Sequence, residues 1–151
     1  MEAQRNRILV HGLIAGFAAY ATTVALYAAF NLFTGHSVFA TAQQLGEALV
    51  GTGVPAAGQV IAYNGVHLSA MLLLGLVCAW AVHEWELHPV LWYAVFAVLT
   101  VGAVVLTLGV GLFASEYAHA LQWRSVVVAN AVAAGVMATY LVLSSGLRTE
   151  A

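Results

Sequence analysis

The stretch "YNGVHLSAML", residues 63–72, sets Asn64 and His67 inside an otherwise apolar run. An imidazole in such surroundings has three chemistries open to it: ligand to haem, copper or zinc; proton carrier; or neutral hydrogen-bonding group. Haem in a helix bundle wants a second axial ligand, or an open site, at the same depth on a facing helix. The other histidines, His11, His36, His83, His88 and His119, lie toward the ends of the apolar runs or in the connections between them. A proton relay wants a line of acids through the same region, but all six acidic residues are glutamates outside those runs. The expectation for His67 is therefore a neutral ring hydrogen-bonded to an amide, with haem ligation as the alternative. Asn130, at a similar depth in another apolar run, is the expected partner.

A second set of chemistry-bearing residues gathers in the connections. "SEYAHALQWR", residues 115–124, brings Glu116, His119 and Arg124 together, and the connection at 34–58 adds His36 and Glu47. His36, Glu116 and His119 form an imidazole and carboxylate set suited to zinc or copper if the chain folds them together. Glu116 and His119 can share a helical face, but no motif fixes the third ligand. A polar rim with Arg124 paired to Glu116 or Glu47 is the simpler expectation. "HEWELHP", residues 83–89, packs two histidines and two glutamates into what reads as a tight turn, too short to aim His83 and His88 at one ion. It is expected to be a hydrated cap, with Pro89 in the first turn of the next helix. No nucleophile in a recognisable setting accompanies any of these groups, and no cofactor is expected.

The elements that position these residues follow from composition. Hydrophobic residues make up 63% of the 151 positions and charged residues 7%, against about 45–50% and about 25% in soluble domains. The chain reads as an integral membrane protein. Four arginines and no lysine leave no basic patch for nucleic acid. The single cysteine, Cys78, excludes an internal disulfide.

Four apolar runs reach the roughly 20 residues that a bilayer-crossing helix requires: residues 8–33, 60–82, 89–113 and 121–143. The first follows Arg5 and Arg7 and contains "AYA", as a secretory leader would, but is longer than the 7–15 or so apolar residues of such a leader. Arg5 and Arg7 precede the first run and Arg148 follows the last, which places both termini in the cytoplasm of a multi-pass cell-membrane protein. Trp80, Trp85, Trp92 and Tyr93 then fall near one membrane face and Tyr117 and Trp123 near the other, as amphipathic rings prefer.

Between the first two runs, Val38, Ala42, Leu45 and Leu49 recur at helical spacing until Gly51, Gly53 and Pro55 end the pattern. The spacing predicts a short amphipathic helix over 38–50, lying on the outer membrane surface or tucked against the bundle mouth. Shielding the helix ends is its simplest role; a lid or docking site for a partner is the alternative. Small residues at four-residue steps supply tracks for close helix approach: Gly12 and Gly16; Gly65 with Ser69, and Gly75 with Ala79; Ala103, Thr107 and Gly111; Ala131, Gly135 and Thr139.

The fold expected is an all-α, antiparallel bundle of four transmembrane helices in a single membrane domain. Three function classes fit it. The first is a noncatalytic accessory or structural subunit docking onto other membrane subunits, or onto copies of itself, within the lipid bilayer. The second is a metal- or haem-binding protein in electron transfer or metal handling. The third is a channel or facilitator for a small solute, lined by Asn64, His67 and Asn130.

Overall fold

The computed structural model describes residues 2–87 and 123–146. Among them are four helices: α1 (Glu2–Phe33), α2 (Ala40–Val50), α3 (Ala56–Leu87) and α4 (Trp123–Gly146). Three of these are long and apolar enough to cross a membrane, over Gln4–Phe33, Ala56–Glu84 and Ser125–Ser144. The expected span at 89–113, with its track of Ala103, Thr107 and Gly111, lies outside the described residues, as do Glu116 and His119.

The helices outrun the apolar segments that specify them. α1 and α3 each hold 32 residues, or about 48 Å at 1.5 Å per residue, well beyond the ~30 Å hydrocarbon core. α3 begins four positions before the expected span and runs through Leu87, so residues 83–87 are helix where a turn was expected. Once a helix is nucleated, each further residue adds a backbone hydrogen bond, and Glu84, Glu86 and Leu87 are good helix formers. At this end Gln4 of α1 pairs with His83 of α3 through their side-chain nitrogens.

α1 is the central helix. α3 runs antiparallel to it, in a register that sets Gln4 by His83, Gly12 by Gly75 and Leu76, Gly16 by Met71 and Leu72, and Tyr20 by His67. α4 is also antiparallel, since His11 meets Tyr140 near one end and Tyr27 meets Asn130 near the other. α3 and α4 therefore run in the same direction. The α1–α3 seam is narrow because it is built from glycine: a Cβ on Gly12 would stand 2.8 Å from Leu76 Cα, and one on Gly75 would run into the Gly12 carbonyl and Gly16. In a bilayer, where apolar side chains gain nothing by leaving lipid, this close backbone approach is what holds helices together. Around the seam, Ala15, Ala19, Ala79, Ala133, Met137 and Leu141 make the buried core.

Among the described residues, two of the expected small-residue tracks meet no other helix. Gly65 and Ser69 are exposed, and so are Ala131, Gly135 and Thr139. α4 faces the core with Ala129, Ala133, Met137 and Leu141 instead. The two α4 tracks are offset by two residues, about 200° around the helix, so one looks inward and the other away from α1.

α1 ends in a Schellman turn: Gly35 N–H donates to Leu32 (3.1 Å), His36 N–H donates to Asn31 (2.8 Å), and Gly35 takes φ +76°. The chain then reverses into α2, which occupies most of the expected 38–50 segment and packs chiefly on the start of α3. Its docking side is small and polar at the edges. Thr41 and Gly46 are buried on either side of half-buried Ala42 and Leu45. Gly46 lies so close to the backbone of Gln59 that no Cβ would fit. The two ends of the apolar stripe, Val38 and Leu49, stay exposed, as do Phe39 and, on α1, Phe33 at 90%.

Candidate functional site

Polar side chains inside the three-helix contact fall in two layers toward the C-terminal end of α1. The layer nearer that end is built on Asn31, 7% exposed, at the close of α1. Its amide donates to the Val38 carbonyl (3.0 Å) and its oxygen accepts from the Thr41 hydroxyl (2.8 Å). Gln59, 4% exposed, donates from its amide to the Gly51 carbonyl (3.2 Å). These hydrogen bonds tie both ends of α2 to the bundle, on either side of the half-buried Ala42 and Leu45.

The deeper layer is aromatic. Tyr20 and Tyr27 lie seven residues apart on α1, on the side that also buries Ala19 and Thr23; Gln59, Tyr63 and His67 step by four along α3. Tyr20 donates its hydroxyl to Asn64 Oδ1 at 2.8 Å. Asn64 in turn donates to the Val60 carbonyl one turn back (2.8 Å), which fixes the amide so that its oxygen faces α1. Asn130 is held the same way on α4, donating to Val126 at 2.8 Å and, with its second amide hydrogen, to the Tyr27 hydroxyl at 3.3 Å. The Tyr63 hydroxyl adjoins that of Tyr27, so α1, α3 and α4 meet at one polar point.

His67 belongs to this layer through its ring faces. It stacks on Tyr63, with centroids 5.3 Å apart and planes 15° from parallel, and tilts against Tyr20 at 5.8 Å and 45°. Its Nε2 is buried and has no hydrogen-bond partner among the described residues. The expected bond between His67 and Asn130 is therefore replaced: Asn130 pairs with Tyr27, because a tyrosine on the central helix stands closer to α4 than an imidazole on α3 does. Below this layer the glycine and alanine seam closes the helix contact, and at the far end His11 Nδ1 and the Tyr140 hydroxyl lie 3.1 Å apart.

His36, the one member of the proposed rim set among the described residues, sits in the α1–α2 turn with Nδ1 2.9 Å from the Thr34 hydroxyl. The described residues contain no group of three or more histidine, cysteine or acidic side chains placed to hold a metal ion. Among the described residues the aromatic layer holds no carboxylate and no thiol; its titratable groups are the Tyr20, Tyr27 and Tyr63 hydroxyls and the His67 imidazole. What it offers is a hydrogen-bonded junction with one unmatched nitrogen.

Sequence reasoning singled out Asn64, His67 and Asn130 but not Tyr20, Tyr27, Tyr63, Asn31, Thr41 or Gln59. The signal was present. A phenol in mid-span needs a partner for its hydroxyl, and two of them at heptad spacing on one span imply a polar layer on the facing helices.

Compared with known proteins, the chain matches no family model, no curated sequence and no solved structure.

Proposed function

We propose that this chain is a four-span, noncatalytic membrane protein that serves as an accessory or structural subunit, docking laterally onto the transmembrane helices of another subunit. The observation that carries the reading is the pair of small-residue tracks left exposed and unclaimed among the described residues: Gly65 with Ser69 on α3, and Ala131, Gly135 and Thr139 on α4. A Cβ on Gly65 or Gly135 would meet nothing within 4 Å. Within the chain, the equivalent glycines at 12, 16 and 75 are spent on close helix approach, and the same physics lets the outward tracks receive a helix from outside.

The four-span topology is supported by where the described helices end. α3 finishes beside the start of α1, and α4 begins beside the end of α1. A chain lying in a bilayer has to recross it between those points, and the apolar run at 89–113 is long enough to do so. The cytoplasmic placement of both termini rests on Arg5, Arg7 and Arg148. α2 then lies at the outer face with Phe33, Phe39 and Leu49 toward the acyl boundary.

Native-membrane extraction into nanodiscs tests the docking. The chain should migrate as an assembly larger than its own 15.8 kDa, and Gly135→Leu should release it as a monomer with unchanged helix content. Co-isolation of two differently tagged copies would redirect the reading to a homo-oligomer. A monomer in native nanodiscs, indifferent to Gly135→Leu, would overturn it.

A further inference from the structure

Among the described residues the deeper polar layer leaves one buried side-chain atom unmatched, about two turns along α3 from Gln59, on which α2 docks. His67 Nε2 is buried without a partner, while the neighbouring amides and the Tyr20 hydroxyl already have theirs. A buried nitrogen left unpaired disfavours the conformation that contains it, because water would otherwise satisfy it. The closed packing is thus held against a local cost, and the restraint that maintains it is α2. α2 docks on Gln59, one turn before Tyr63, and Tyr63 stacks on His67.

α2 is attached in a way suited to release. Among the described residues its hydrogen bonds to the bundle are Thr41 to Asn31, Asn31 to Val38 and Gln59 to Gly51, beside the glycine contact at Gly46 and the half-buried Ala42 and Leu45. Polar groups of this kind are rehydrated when the contact opens, whereas apolar ones would be penalised. A glycine with positive φ stands on each side of the helix, Gly35 at +76° and Gly51 at +86°, in a backbone region where glycine moves without steric penalty. The exposed stripe ends Val38 and Leu49 remain outside the docking contact.

We propose that α2 is a latch over the aromatic layer, and that releasing it admits water to Nε2 of His67. Closed and open states trade the latch bonds and the ring stack against hydration of that nitrogen. The proposal does not rest on the docking reading, since it concerns a contact within one chain and is tested on detergent-solubilised monomer.

The test is carbethoxylation by diethyl pyrocarbonate, which acylates a neutral imidazole nitrogen that it can reach, read residue by residue by mass spectrometry. Exposed His36 is the internal standard for reagent activity. His11, bonded to Tyr140 at the opposite end of the bundle, reports any general loosening. In the native chain His67 should react far more slowly than His36. Thr41→Val, which deletes one latch donor, should raise the His67 rate about two- to tenfold, as expected for the loss of one net hydrogen bond. Gln59→Leu should do the same, and Gly46→Ala, whose Cβ cannot coexist with the Gln59 backbone, should raise it at least as much. Gly53→Ala, with open space around it, should leave the rate at the native value. If one variant fails to fold, the remaining two decide. A His67 rate equal to that of His36 in the native chain, a rate unmoved by every latch variant, or a rise matched at His11 would each overturn the latch.

Discussion

The Asn130 amide of α4 reaches the Tyr27 hydroxyl of α1 across 3.3 Å, and this bond, with the adjoining Tyr63 hydroxyl, joins three helices at one point. Polar contacts between helices in membranes average about 0.6 kcal/mol and reach ~1.7. Tyr27→Phe and Asn130→Leu should each lower unfolding stability in detergent by an amount in that range. The double variant should lose less than the two single losses combined, because both remove the same bond. Strict additivity in the double-mutant cycle would separate the two residues.

His67 should behave in the opposite sense to an ordinary hydrogen-bonded histidine. His67→Phe keeps an aromatic ring against Tyr63 and Tyr20 and deletes the unpaired nitrogen, so thermal unfolding should occur at the native temperature or above it. His67→Asp, which buries an acid in the same place, should be strongly destabilising. A clear loss of stability in His67→Phe would show that the nitrogen has a partner after all.

The glycines divide into two classes with different readouts. Gly75→Ala drives a methyl into Gly12 and Gly16 and should cost about 1–3 kcal/mol of stability, the range for overpacking. Gly65→Ala and Gly135→Ala meet nothing within 4 Å and should leave the isolated chain as stable as before. Equal damage from Gly65→Ala in the isolated chain would place that surface inside the fold.

Reporter fusions at Met1 and Ala151 should both report the cytoplasm. Opposite signals from the two ends would indicate an odd number of crossings and remove the return span proposed between α3 and α4. An outer-face signal from both ends would invert the molecule and exchange the faces on which His36 and His83 lie.

Purified without chelator, the protein should carry neither stoichiometric zinc nor copper and show no haem absorbance. Bound zinc or copper that disappears in His119→Ala would support a rim site built from His36, Glu116 and His119. A Soret band abolished by His67→Leu would make the aromatic layer a haem site and replace the noncatalytic reading.

What the sequence determined by itself was what hydropathy and local turn chemistry can encode. The apolar runs located α1, α3 and α4 because a crossing helix has to hide about 20 peptide units from lipid, whatever its neighbours are. Gly51 ended the short helix for an equally local reason, since it adopts a positive φ that other residues resist. What only the tertiary structure decided was which face of each span meets another helix. On α4 the tracks through Ala129 and Ala133 and through Ala131 and Gly135 are equally small and apolar, yet one is core and the other exposed. In water, burial would have separated them by hydrophobicity; in a bilayer both faces are solvated by apolar groups, so composition carries no such signal. The partner of Asn130 was hidden for the same reason. Depth along the membrane could be counted from the sequence, but rotation about each helix axis is fixed by how three helices interlock, and that rotation gave Asn130 to Tyr27 and left His67 Nε2 without a bond.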